Sequence, residues 1–137
     1  MPTLLIKAGR VLSPKDGLDT VSDVLVEDGR IRQIAPQIET RVNERIDASG
    51  QIVSPGFIDI HVHLREPGGE ISETLETGLA AAVAGGFTAV CPMPNTRPIN
   101  DGPGKTRFLV QRAMEIGSAR VFPVAAVSEE SNGERLT

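Results

Sequence analysis

The sequence predicts an α/β fold in two parts: a small β-rich unit over residues 1–55, then alternating parallel strands and helices over 56–137. Three observations predict it. Asp28-Gly29 stands between two apolar stretches, where both residues tolerate the positive φ of a tight hairpin. From Phe57 onward, short β-type runs alternate with helical stretches in the order β-α-β-α-β, which makes the sheet parallel. Pro55-Gly56, Gly85-Gly86 and Gly117 punctuate the changes.

In the first part, Leu4-Leu5-Ile6 and Arg10-Val11-Leu12 read as short strands flanking Gly9. Asp23 to Val26 and Ile31 to Ile34 form the hairpin, and Gln51-Ile52-Val53 a last strand. This unit is too thin to hold a core by itself. In the second part, Phe57 to Leu64 is a strand. Ser72 is placed to N-cap a helix from Glu73, whose Leu75, Leu79, Ala82 and Val83 share one face. Phe87 to Cys91 is the next strand. Pro103 suits a helical first turn, and Phe108, Leu109, Ala113 and Ile116 carry that helix's apolar face. Arg120 to Val127 is a third strand, and the residues from Gly133 look like the approach to another helix.

Composition excludes several functions. Lys and Arg number 14 against 18 Asp and Glu, a net charge of −4, which argues against a nucleic-acid footprint. With no Trp or Tyr there is no base-stacking platform. A single cysteine excludes an internal disulfide and fits a reducing compartment; Cys91 itself reads as a small buried hydrophobe. The N-terminus lacks a signal-peptide pattern, and the apolar stretch from Gly78 to Met93 is broken by Gly85-Gly86 and Pro92 and too short to span a bilayer. A soluble cytoplasmic protein without membrane or nucleic-acid partners is the expectation.

The only two histidines are His61 and His63. Strand side chains alternate between faces, so Asp59, His61, His63 and Arg65 are expected on one face and Ile58, Ile60, Val62 and Leu64 on the other. Two imidazoles at this spacing can converge on one zinc at ~2.0–2.1 Å. A solvated polar face or a hydrogen-bonded core pair accounts for such a pair equally well. Arg65 follows the histidines toward the strand's C-terminal end, where its fork suits a carboxylate; a surface salt bridge is the plain alternative. Asn95 lies on a loop stiffened by Pro92, Pro94 and Pro98, either as a preorganised amide donor or as a turn residue. Asp59 orients a ligand or serves a structural role. Gly102-Pro103-Gly104-Lys105-Thr106 ends like a phosphate-binding loop, but Ile99 occupies the place of its first glycine.

Pro55 to His63 resembles the first-strand signature of the amidohydrolase superfamily, metal-dependent hydrolases built on a (β/α)₈ barrel of the TIM type. The continuation Leu64-Arg65-Glu66-Pro67-Gly68-Gly69, with Gly85-Gly86-Phe87-Thr88 and Cys91 to Pro98, is similar to dihydroorotases of the longer, class I type. The resemblance implies a small β-sandwich segment over 1–55 and the first three strands and two helices of an incomplete barrel over 56–137. It implies that His61 and His63 ligate zinc, one or two ions per complete subunit, and that Arg65 and Asn95 bind the substrate carboxylate. The implied reaction is the reversible cyclisation of N-carbamoyl-L-aspartate to L-dihydroorotate in pyrimidine biosynthesis.

That pattern also requires a bridging Asp or carboxylated Lys, two further histidines and a catalytic aspartate from later strands. After His63 there is no histidine, and Asp101 and Lys105 are the only aspartate and lysine. No catalytic acid or base is therefore expected in this segment, which reads as the N-terminal third of an enzyme and is expected to be inactive alone. A sister cyclic amidohydrolase (allantoinase or dihydropyrimidinase) stays open. So does a catalytically inactive assembly partner of aspartate transcarbamoylase. Beyond the small-molecule substrate, the resemblance leaves room for a homo-oligomer or a complex with that transcarbamoylase.

Overall fold

Strand β1 (Thr3–Ser13) organises the first of two units, which divide between Pro55 and Gly56 in the computed structural model; residues 2–137 are described. β1 pairs antiparallel with β2 (Leu18–Glu27), which pairs antiparallel with β3 (Arg30–Ala35). β4 (Glu44–Asp47) and β5 (Ile52–Val53) run parallel to successive stretches of β1. Asp28 and Gly29 turn the β2–β3 hairpin with φ of 50° and 73°, the positive values that Asp and Gly tolerate. Leu5, Leu25 and Ile38 are the buried centre.

Two short strands around Gly9 were the sequence expectation; the structure has one long strand with a bulge between Ile6 and Gly9, where Ala8 takes φ of 57°. The buried carboxylate of Asp23 holds that bulge. It accepts the N–H of Ala8 at 2.9 Å and that of Ile38 at 2.9 Å, and lies 3.2 Å from Lys7 Nζ. β4 escapes a reading of pattern because Glu44-Arg45-Ile46-Asp47 is exposed throughout and joins through backbone pairing alone. The sandwich expected over 1–55 is a single five-stranded sheet among the described residues, because every strand joins one hydrogen-bonded ladder around β1 and β2.

The second unit is a parallel three-stranded sheet in the order β6 (Phe57–Val62), β7 (Phe87–Pro92) and β8 (Arg120–Val121). Helices α1 (Leu75–Ala84) and α2 (Pro103–Ile116) connect them. Leu64, Leu75, Leu79, Val90, Leu109, Ala113 and Val121 form its core. Within each helix the buried face is narrower than predicted: Val83 is 51% and Phe108 47% exposed.

Helix α1 starts later than expected. Ser72 and Glu73 are used in a turn on the carbonyl of Gly69, so Thr74 is the cap, exchanging bonds of 3.1 Å with Thr77 in both directions. Glu66 also accepts the N–H of Leu75 at 2.7 Å. The third strand is shorter than expected, because Pro92 and Pro123 cannot donate to the ladder. Extended pairing nevertheless continues through Phe122 N–H to Val90 O at 2.9 Å and Val124 N–H to Pro92 O at 3.0 Å. Residues Glu129–Ser131 form one 3₁₀ turn, and Ser128 bridges to Leu136.

Candidate active site

β6 delivers its chemistry at its C-terminal end. His61 is the penultimate strand residue and His63 the first beyond it, both exposed. Their ring centroids are 5.4 Å apart and the planes meet at 70°. Two imidazoles that ligate one tetrahedral zinc through nitrogens at ~2.0–2.1 Å bring their centroids roughly 5 Å apart, so this pair has the span of a shared ligand set. Among the described residues no group of three or more His, Cys, Asp or Glu side chains could hold a metal. The described residues thus bring two imidazoles together and no third such donor.

The unbroken alternation expected over Asp59 to Arg65 fails twice. The pairing slips between Asp59, opposite Val90, and Val62, opposite Pro92, so three steps on β6 match two on β7. Asp59 consequently does not share one face with the histidines. Its carboxylate accepts the His61 backbone N–H at 3.0 Å, and the residue borders the hollow lined by Val62, Leu64 and residues of α1. The second failure is at Arg65, whose φ of 62° lies in the left-handed region. The N–H of Glu66 reaches back to Leu64 O at 2.7 Å, closing a three-residue turn around it. A non-glycine residue held there costs ~1–3 kcal/mol, a strain that concentrates at functional sites. The Arg65 side chain is exposed, with no ion-pair partner among the described residues.

Asn95 comes to the same end of the sheet from the loop after β7. Its Oδ1 lies 2.9 Å from His63 Nδ1 across 32 residues of sequence. An amide oxygen only accepts, so this contact is a hydrogen bond in the tautomer that carries its hydrogen on Nδ1. The loop is held from both sides. Arg97 N–H donates to Pro67 O at 2.9 Å, tying it to the segment that carries Arg65. Gly68, at φ of 89°, lets this approach happen: a Cβ there would lie 2.2 Å from Arg97 O. On the other side Asn100, 1% exposed, donates its backbone N–H to Pro94 O at 3.0 Å and its Nδ2 to Val124 O at 2.9 Å, while its Oδ1 accepts Thr106 Oγ1 at 2.8 Å.

Asn100, Glu66 and Gly68 support the loops; the sequence shows Glu66 and Gly68 only as members of the motif after Leu64, with no role, and does not single out Asn100. Nothing local marks Asn100, whose partner Val124 lies 24 residues on. Near the Arg65 loop, the Gly68 N–H holds the Glu70 carboxyl below its ordinary range. Lys105 does the same to Asp101, the largest of several such influences there. That pairing neutralises the lysine of the phosphate-loop lookalike, and Thr106 is spent on Asn100. Cys91 is free and half-buried in β7.

A family model described as dihydro-orotase-like matches residues 50–137. A curated relative named dihydroorotase, from Anaeromyxobacter sp. (strain K), is 52% identical over 134 residues, which are 97% of this chain and 31% of the relative. Dihydroorotases from Syntrophotalea carbinolica, at 51% identity, and Geobacter sulfurreducens, at 47%, match over 97% of this chain and 31% and 32% of their own length. The chain thus spans about a third of these relatives. Among solved structures, an L-hydantoinase (dihydropyrimidinase) from Arthrobacter aurescens aligns with a TM-score of 0.80 at 25% identity, over 93% of this chain and 28% of that one. A D-hydantoinase aligns with a TM-score of 0.70 at 30% identity, with the same coverage.

Proposed function

The chain belongs to the dihydro-orotase-like family, and from that premise we propose that it is the N-terminal third of a zinc-dependent dihydroorotase. On this reading residues 56–137 are the first three strands of a (β/α)₈ barrel. The observation that carries it is the meeting of His61, His63 and Asn95 at the C-terminal ends of β6 and β7, the end where barrels of this kind keep their active sites, with Arg65 two residues beyond His63 in sequence. The reaction is the reversible closure of N-carbamoyl-L-aspartate to L-dihydroorotate, in the cytoplasm.

His61 and His63 would hold the zinc, and their separation supports that role. When bound, zinc lowers the pKa of a coordinated water and polarises the amide carbonyl to be cleaved. Arg65 offers two parallel N–H donors to the substrate carboxylate, and the Asn95 amide NH₂ adds a third. These contacts orient the ring and choose substrates that carry the carboxylate. The proton-transferring aspartate, like the remaining metal ligands, comes from outside these residues.

A second reading has its own support: two of the aligned solved structures are an L-hydantoinase (dihydropyrimidinase) and a D-hydantoinase, and dihydrouracil is a dihydropyrimidine. The complete enzyme, purified with zinc and offered both compounds, separates the readings. Dihydroorotate should be opened with far higher kcat/KM than dihydrouracil. A preference for dihydrouracil moves the assignment to the hydantoinase branch. Turnover of neither, in a zinc-loaded protein, favours an inactive partner of aspartate transcarbamoylase.

A further inference from the structure

Resting on this reading of the site, we propose that Asn95 is a positioning residue for the metal ligand His63 as well as a substrate contact, and so couples the two. A neutral imidazole has one protonated nitrogen and one lone pair. Asn95 Oδ1, 2.9 Å from His63 Nδ1, selects the tautomer with hydrogen on Nδ1 and leaves the lone pair on Nε2. Metal-bound histidines are commonly held this way, their second nitrogen donating to a fixed acceptor. The same bond sets the amide the other way round. With Oδ1 committed to the histidine, Nδ2 has no partner among the described residues and is left to donate to the substrate.

The acceptor is fixed by the fold rather than by its own side chain. Asn100 grips the carbonyl of Pro94, the residue before Asn95, and is itself locked to Val124 and Thr106. On the other flank, Arg97 is bonded to Pro67. Asn95 is thus the centre of a short segment clamped at both ends, able to hold an imidazole in orientation. One amide then serves two ligands, and loss of its oxygen and gain of a charge have different consequences.

The test is a pair of variants of the complete enzyme, Asn95→Ala and Asn95→Asp, read by zinc affinity in chelator competition and by KM for dihydroorotate. Alanine removes the acceptor and should weaken zinc binding by ~10–100-fold, the usual effect of losing such a partner. Aspartate keeps an oxygen for Nδ1–H but turns a negative charge toward a carboxylate substrate. It should bind zinc within a few-fold of the native protein while KM rises tenfold or more. Nitrogen chemical shifts of the His63 ring in zinc-free protein should show hydrogen on Nδ1 in the native and Asn95→Asp proteins, and a mixture in Asn95→Ala. Native zinc affinity in Asn95→Ala, or an equal loss in both variants, overturns the proposal. Because the zinc and tautomer measurements need no substrate, they decide the positioning role separately from whether dihydroorotate is turned over.

Discussion

Arg65 is where single-residue chemistry is most exposed to test. Its guanidinium has no ion-pair partner among the described residues, it follows His63 on a left-handed turn, and the proposed function gives it a substrate carboxylate to meet. Arg65→Met in the complete enzyme should lower kcat/KM for dihydroorotate at least tens-fold, since truncating one partner of a buried charge pair costs ~2–5 kcal/mol. The low value for dihydrouracil should hold or rise, zinc content should not change, and lysine should restore little because it lacks the fork. Equal losses on both substrates together with loss of zinc would assign Arg65 to the metal site instead. Asp23 is the stability counterpart. Burial pushes its carboxyl up, but the N–H groups of Ala8 and Ile38 and the Lys7 ammonium outweigh that and hold it below the ordinary 3.8. A depressed carboxyl stabilises the fold above the ordinary value, and that contribution fades as pH falls through the lowered one. Asp23→Ala should therefore destabilise the protein at neutral pH by on the order of 3 kcal/mol, two buried N–H groups losing a charged acceptor. Denaturant melts from pH 7 downward should show the gap to the native protein closing below pH 3.8; a gap independent of pH would mean that the charge contributes nothing.

At the level of elements, the site depends on two loops meeting: the one after β6 that bears Arg65 and the one after β7 that bears Asn95. Gly68 permits the meeting, both by its φ of 89° and by its closeness to Arg97 O. Gly68→Ala has to push the loops apart, so KM for dihydroorotate should rise, by up to ~10²-fold if the displacement approaches an ångström. Zinc affinity should fall less than in Asn95→Ala, because His61 and His63 lie at the end of β6 and the Asn100 bond to Pro94 still holds the Asn95 loop on its other flank. A Gly68→Ala enzyme with native KM would show that the loops need not touch. Helix α1 is a different case: Thr74 caps it through Thr77 of its own first turn, and only the bond from Leu75 N–H to Glu66 ties the helix start to the Arg65 loop. Thr74→Ala should cost ~1 kcal/mol of stability, measured by thermal melting, with little change in substrate preference.

For the molecule as a whole, the decisive quantities are the number of metal donors and the state of the sheet edges. Residues 1–137 bring two histidines together and no third ligand among the described residues. β6 and β8 each pair on one side only, and Ile58 and Ile60 are 59% and 75% exposed. Unpaired edges of this kind promote association between chains. Expressed as these residues alone and supplied with zinc, the protein should show no dihydroorotate hydrolysis above a His61→Ala control and should sediment as aggregates. Turnover above that control would mean that two histidines suffice.

How much of this was legible in the sequence follows a physical division. The βαβαβ order, the Asp28-Gly29 turn, the Pro103 helix start, the Gly85 and Gly117 stops and the histidine pair all arise from local rules. Those rules are steric limits on φ, missing N–H groups and the period of apolar residues, so the sequence by itself determined them. The tertiary structure decided what depends on partners distant along the chain. It alone slipped β6 against β7 and removed Asp59 from the histidine face. It merged the strands around Gly9 under the buried Asp23 carboxylate, and paired the fully exposed β4 through its backbone. It also set Asn95 against His63 across 32 residues, through a clamp whose centre, Asn100, satisfies its amide 24 residues away. Periodicity assigns a side chain to a face only while the ladder stays in register. Register and loop closure are settled by hydrogen bonds between distant segments, which no local pattern encodes.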